Sequence, residues 1–268
     1  MSRRRKWEGH DTRGGQARGR PRVVGVVGGS GGVGTSCLAA ALATRARSDG
    51  WSVVCADAGA WGGGIDALFD LESRPGVRWP DLAEASGRLD GAVLLRHLPE
   101  SAGGVRVLSA ATTTPDEPGH DPGRGTPAAA AAAVFEALTR VVDVLVLDLG
   151  TVPAAGLATA WGEVGCTDLL LVVGTGVPAL ARAGRAAEAL TTGACEQVWL
   201  VQRCPRGRAD LAELVAERLG LPLLGVVPDD PRLDDALARG EAPGSGRSRL
   251  GAVAHELWTG LTREERVA

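Results

Sequence analysis

The chain contains no tyrosine and a single lysine, Lys6, so 28 of its 29 basic residues are arginine. Chemistry that needs a Tyr–Lys pair, a Schiff-base lysine or a core lysine gripping phosphate is therefore excluded. The five cysteines (37, 55, 166, 195 and 204) form no Cys-x-x-Cys pair, and the four histidines (10, 97, 120 and 255) show no ligand spacing. Neither a zinc site nor a disulfide framework is expected, and the cysteine usage suits a reducing, cytoplasmic setting. No apolar run reaches the roughly 18–20 residues of a membrane span, so no integral membrane segment is expected. Residues 1–22 are charged and lack the apolar stretch of a secretory signal.

What is present describes an ordinary globular protein. Of 268 residues, 44% are hydrophobic and 23% charged, enough to build a full core in about one or two domains. Charge is unevenly placed. Residues 1–22 carry eight Lys and Arg against two acids, while the rest carries 21 basic and 30 acidic residues, a net of −9. We expect a basic, flexible arm over residues 1–21 and one domain over residues 22–268. Such an arm can meet nucleic acid or an anionic membrane, but only Trp7 interleaves its charges, which fits a solvated leader better.

From Arg22 onward, short apolar runs alternate with alanine-rich stretches. The pattern predicts strands at 22–27, 51–56, 105–109, 142–148, 168–173, 197–202 and 223–227. It predicts helices at 36–47, 127–140, 177–192, 209–219, 232–239 and 250–261. Runs such as Val144-Leu-Val-Leu147 and Leu169-Leu-Leu-Val-Val173 are apolar throughout, as expected of strands covered on both faces. Alternating strand and helix implies an α/β fold with a mainly parallel sheet flanked by helices. Segments 115–127 and 240–246 read as loops. The last helix places Leu250, Val253, Leu257 and Leu261 on one face. Glu256, Glu264 and Glu265 make it better suited to closing the core than to lying on an anionic leaflet.

The strongest local signal is the segment from Gly28 to Ser36, Gly-Gly-Ser-Gly-Gly-Val-Gly-Thr-Ser, between the first strand and first helix. Five glycines in the seven residues Gly28–Gly34 allow positive φ and bring backbone N–H groups against an anion. The helix N-terminus adds its dipole, so the segment is built as a phosphate cradle. Two cradles fit. Gly29-x-Gly31-x-x-Gly34, with Asp57 ending the second strand, fits a dinucleotide fingerprint and hence an oxidoreductase. Written as Ser30-Gly-Gly-Val-Gly-Thr-Ser36, the same segment fits a P-loop.

In the second form it resembles the deviant P-loop of the MinD/ParA ATPases, Lys-Gly-Gly-x-Gly-Lys-[Ser/Thr]. Cys55-Ala-Asp57, Val144-Leu-Val-Leu-Asp148-Leu-Gly150, Val201-Gln-Arg203 and Val226-Val-Pro-Asp-Asp230 follow in that family's order, so the resemblance covers about residues 22–262. It implies a three-layer P-loop NTPase-like fold and binding of ATP or ADP with Mg²⁺. The implied nucleotide-binding residues are Gly29, Ser30, Gly31, Gly32, Val33, Gly34, Thr35, Ser36, Cys37, Gln202, Arg203, Pro228 and Asp229. Ser36 and Asp148 would serve the magnesium, and Asp57 would stand at the water-activating, catalytic position.

The departures from that pattern are as informative. Ser30 and Thr35 occupy both lysine positions, and each lost charge-assisted contact is worth about 1.5–3 kcal/mol. Together they weaken nucleotide binding roughly 10²–10⁴-fold. A lysine-free glycine loop, with Trp79-Pro-Asp-Leu-Ala83, Leu89-Asp-Gly-Ala92 and Val105-Arg-Val-Leu-Ser109, is similar to the CpaE-like and septum-site-determining branch. That resemblance implies a spatial regulator or scaffold for division or Tad-type pilus and secretion machinery. It would be a homodimer, peripheral at the membrane or septum through its partners, with weak or absent ATP binding and hydrolysis. The alternative is an active ATPase with an arginine, such as Arg203 or one from a partner, in place of lysine. The arginines in 179–185 and 203–208 are expected to be a solvated face.

Overall fold

The computed structural model describes residues 20–58, 64–110, 128–151, 165–191, 195–204 and 210–263. Most of the basic arm, the loop at 115–127, the arginines at 206 and 208, and Glu264 and Glu265 lie outside the described residues. Among the described residues seven strands form one sheet: β1 (Arg22–Gly28), β2 (Val53–Asp57), β3 (Arg106–Leu108), β4 (Val144–Thr151), β5 (Asp168–Gly174), β6 (Gln197–Arg203) and β7 (Leu223–Val227). Their order is β3-β2-β4-β1-β5-β6-β7, and every neighbouring pair is parallel. Among the described residues the helices are α1 (Thr35–Ser48), α2 (Gly91–His97), α3 (Ala128–Thr139), α4 (Val177–Thr191), α5 (Asp210–Leu219), α6 (Leu233–Ala238) and α7 (Arg249–Arg263).

The two-residue period of the strands divides the core into two layers. Val24, Val26, Val53, Cys55, Val144, Val146, Leu170, Val172, Trp199 and Val201 face α1 and α7. Their neighbours Val23, Val27, Val54, Leu145, Leu147, Leu169, Leu171 and Leu200 face the side of α3, α4 and α5. This three-layer arrangement is a P-loop NTPase-like fold. The terminal helix closes the first layer: Leu250, Val253, Leu257, Trp258 and Leu261 are buried, and Trp258 meets Trp51 edge-on at 6.2 Å.

Alanine in α1 is a packing requirement. Ala39 to Ala43 and Ala46 are fully buried, and the loop at 240–246 runs directly over them. A Cβ on Gly244 (φ +81°) would lie 3.0 Å from the Ala41 Cα. The sequence pattern does not reveal α2, which is only seven residues long. Asp90 caps it by accepting from the Ala92 and Val93 amides at 2.9 and 3.1 Å, and Gly91 lets it cross α3, where a Cβ would sit 2.1 Å from the Ala137 carbonyl.

Two registers set the geometry at the ends of the central strands. Gly28 pairs with Val172 of β5, and the Gly29 amide extends that ladder by donating to the Val172 carbonyl at 2.9 Å. On the other side of β1, Asp148 of β4 pairs directly with Asp57 of β2. The loop after β1 and the two acids thus lie together where the strands end.

Candidate functional site

The chain leaves β1 through Gly28 and Gly29, turns at Gly32 (φ +74°) and enters α1 through Gly34 (φ +83°), whose left-handed conformation makes glycine the fitting N-cap. No side chain caps α1 and no acid lies in its first turn. Its first amides are therefore not satisfied by a cap, and the helix dipole is not offset there. A Cβ placed on Gly31, Gly32 or Gly34 would meet nothing within 4 Å, so the outer side of the loop is open. Its inner side is tight. A Cβ on Gly28 would lie 2.7 Å from Thr35 Oγ1 and 2.9 Å from the Ser30 carbonyl. Thr35, 8% exposed, is folded back against β1, while Ser30 is half-buried.

Asp148 follows Val144 and Val146 on the face toward α1, and its side chain meets the Ser36 hydroxyl. The Gly150 amide donates to Asp148 Oδ1 at 3.1 Å. Burial raises the Asp148 pKa, and these two hydrogen bonds lower it in part. Asp57 extends the same-face series Val53, Cys55, so both carboxylates stand on the α1 side of neighbouring strands, each 4% exposed. Trp79 steadies the end of β2: its indole N–H donates to the Asp57 carbonyl at 2.5 Å, and its ring packs edge-on against Phe135 at 5.5 Å. Sequence reasoning gave Trp79 no role in this site, since a contact to a backbone carbonyl leaves no motif.

Cys37, in the first turn of α1, is half-buried. Its thiol pKa is pushed up by burial first and then by Asp148 and Asp234, with Arg203 opposing. Asp148, Asp234 and Arg203 are thus the charged groups whose fields reach this thiol. Asp234, at the head of α6, is a member that sequence reasoning missed, because nothing local distinguishes it from the adjacent Asp235. Arg203 is already engaged: it donates to the Val227 carbonyl at 3.0 Å and pairs with Asp229. Both contacts lie at the β7 end.

The remaining expected residues divide. Pro228 and Asp229 lie just beyond β7, beside Arg203. Gln202 does not join the Ser36–Asp148 cluster. It alternates with Val201, which faces α1, so it is turned to the other layer, fully buried, donating to the Val173 carbonyl at 2.9 Å. The dinucleotide reading also meets an obstacle. It needs β2 beside β1, so that its terminal acid reaches the ribose of a molecule held on the loop. Here β4 stands between them, and Asp148 is the acid nearer the loop.

The described residues contain no cluster of three or more His, Cys, Asp or Glu able to hold a metal on their own. The arrangement fits a phosphate with a hydrated divalent cation: uncapped amides on an open glycine loop, with a hydroxyl and a carboxylate in contact beside them. It lacks a cationic side chain at the lysine positions. Among the described residues, no helix is long and apolar enough to cross a membrane.

Comparison with known proteins agrees with this fold. No family model matches the chain. Two uncharacterized proteins of Mycobacterium tuberculosis, from strains CDC 1551 and H37Rv, are each 34% identical over 242 residues, which is 90% of this chain. The match spans 64% of the length of these curated relatives. Among solved structures, a ParA family ATPase from Chlorobium tepidum aligns with a TM-score of 0.73 at 17% identity, covering 88% of this chain and 98% of that one. The septum site-determining protein MinD of Pyrococcus horikoshii, complexed with Mg-ADP, aligns at 0.70 and 17% identity, covering 92% and 98%. MinD in the MinC:MinD cell division complex of Aquifex aeolicus aligns at 0.68 and 20%, covering 92% and 96%. The chain has the P-loop fold of the MinD and ParA proteins.

Proposed function

We propose that this chain is a MinD/ParA-type scaffold of the CpaE-like, septum-site branch. In this reading it binds Mg-nucleotide weakly and turns it over little or not at all. The observation that carries the reading is a split in the loop's chemistry: the magnesium-side pair Ser36–Asp148 is assembled, while the two lysine positions hold Ser30 and an inward-folded Thr35. Phosphoryl transfer depends on positioning and on neutralising charge. The positioning elements are kept here and the neutralising side chains are absent.

In this proposal the amides from Gly29 to Cys37, with Ser30, Gly31, Gly32, Val33, Gly34, Thr35 and Ser36 between, line the phosphates. Ser36 and Asp148 hold the magnesium, which supplies the positive charge the loop lacks. Asp57 stands where it can accept a proton from water, while Arg203, Pro228 and Asp229 border the base. Gln202 does not touch the nucleotide in this reading and instead braces the end of β5 through the Val173 carbonyl. A second copy of the chain would pack against the loop side, and the nucleotide would set how often it does so. Such a two-state protein can position division or pilus and secretion machinery without rapid hydrolysis. The support for that role is the shared fold together with the resemblance of the glycine loop. A cytoplasmic site of action, at the membrane or septum through partners, goes with it.

The test is a titration of a fluorescent ATP analogue with magnesium into the wild-type chain and into Asp148→Ala, with phosphate release followed in the same samples. Saturable binding at high micromolar to millimolar ligand, lost in the variant and without turnover, is the expected result. Turnover well above background that disappears in Asp57→Ala would replace the scaffold with a working ATPase. No binding at any concentration would remove the nucleotide from the account.

A further inference from the structure

We propose that Cys166 and Cys195 are a reversible dithiol–disulfide pair, a site of oxidative modification at the end of the sheet opposite the glycine loop. This inference is independent of the nucleotide reading.

It rests first on strand register. β5 and β6 pair from Asp168 with Gln197 up to Gly174 with Arg203. The ladder continues below that pair: the Gln197 amide donates to the Thr167 carbonyl at 3.1 Å, and the Glu196 amide to the Cys166 carbonyl at 3.2 Å. Cys166 and Cys195 each lie two residues before the paired Asp168 and Gln197, so they stand at the same level of adjacent chains. Neighbouring strands run about 4.7–4.9 Å apart, inside the roughly 4.4–6.8 Å Cα separation a disulfide spans. Both side chains belong to the same core layer, and their thiols are in hydrogen-bond contact.

Burial then assigns the roles. Cys195 is half-buried and the more accessible of the two to a small oxidant, whereas Cys166 is 1% exposed. The Cys166 thiol donates to Cys195, which lowers the Cys195 pKa and raises that of Cys166. Two other cysteines, 55 and 204, are buried, and burial and Asp148 push the Cys37 thiol up. Oxidation is thus directed to Cys195.

With hydrogen peroxide as the oxidant, the Cys195 thiolate attacks one peroxide oxygen. The O–O bond breaks, and hydroxide leaves and is protonated to water, giving a sulfenic acid. The Cys166 sulfur then attacks the Cys195 sulfur, the S–O bond breaks, and the departing hydroxide takes the Cys166 proton as a second water. Two thiols and one peroxide give one disulfide and two waters; both sulfurs are oxidised and the peroxide is reduced. A dithiol reductant reverses the reaction by thiol–disulfide exchange.

The bond would join the start of β5 to the start of β6 and so enclose α4. That helix bears on the glycine loop, since a Cβ on Gly29 would lie 3.6 Å from Ala183. A reducing compartment keeps the pair open, and oxidant closes it, as suits a transient rather than a framework disulfide.

The experiment treats the reduced full-length chain with equimolar hydrogen peroxide, counts thiols and maps linked peptides by mass spectrometry. The proposal predicts loss of two of the five thiols, one Cys166–Cys195 linked peptide, and full recovery with dithiothreitol. Cys195→Ser should abolish the link, and Cys166→Ser should leave Cys195 as a sulfenic acid that dimedone labels. The wild-type map decides the matter even where a variant folds poorly. A link between other cysteines, Cys195 carried to sulfinic acid while Cys166 remains a thiol, or five unchanged thiols would each overturn it.

Discussion

Where the strands of this sheet begin, Asp168 is 5% exposed and fully engaged. Arg22 pairs with it at 2.5 Å, the Trp199 indole donates to it at 3.0 Å and the Thr167 hydroxyl at 2.8 Å. Where the strands end, Asp148 is equally buried, but its contacts are the Ser36 hydroxyl and the Gly150 amide, and Asp57 stands on the next strand. Among the described residues no basic side chain forms an ion pair with Asp148. A buried carboxylate matched by a guanidinium and two neutral donors is part of the fold. A buried carboxylate without a cation, beside a second one, is a local cost to stability that suits it to a cation arriving with a ligand.

The largest test of this contrast supplies the missing charge. Ser30→Lys combined with Thr35→Lys should tighten Mg-nucleotide binding by roughly 10²–10⁴-fold, read by calorimetric titration. Next comes removal of the charge at the other end. Arg22→Ala strands Asp168 and should destabilise the chain by about 3–5 kcal/mol in urea unfolding. Asp148→Asn should have the opposite sign, stabilising the ligand-free chain by about 1 kcal/mol while abolishing magnesium-dependent binding.

That third effect carries a pH signature. Burial raises the Asp148 pKa, so the folded chain keeps this proton to higher pH than the unfolded chain. The associated stability is fully present in acid, below the unfolded value, and is lost as pH rises through the folded value. The melting-temperature advantage of Asp148→Asn over the wild type should therefore grow from acid toward neutral pH. The smallest effect is expected at the exposed Arg20–Glu196 pair, whose side chains are 69% and 53% exposed. Glu196→Gln should change stability by under about 0.5 kcal/mol, showing that burial, not the count of ion pairs, makes the Asp168 end structural.

All seven strands were legible in the sequence because each is a short apolar run between breakers. The long helices were legible through their alanine and apolar spacing. The places of the glycine loop, Ser36, Asp57 and Asp148 were legible because the loop is written in consecutive residues and each acid ends an apolar run. Strand order was not, since no local pattern says that β4 inserts between β1 and β2 and so brings Asp148 beside Asp57. α2 escaped because its fit depends on Gly91 meeting the Ala137 backbone, a contact between distant segments. The inward turn of Gln202 could have been read from its alternation with Trp199 and Val201. The pairing of Arg203 with Asp229, and of Cys166 with Cys195, arises from register and strand ends alone.

In the proposed function the glycine loop can hold phosphate and lacks only cationic side chains. Titrating Mg-ADP calorimetrically into the wild type and into Ser30→Lys/Thr35→Lys under identical conditions tests this most directly. The expected result is weak, magnesium-dependent binding to the wild type and affinity at least about 100-fold tighter in the double variant. Equal affinities, whether both tight or both undetectable, would contradict it.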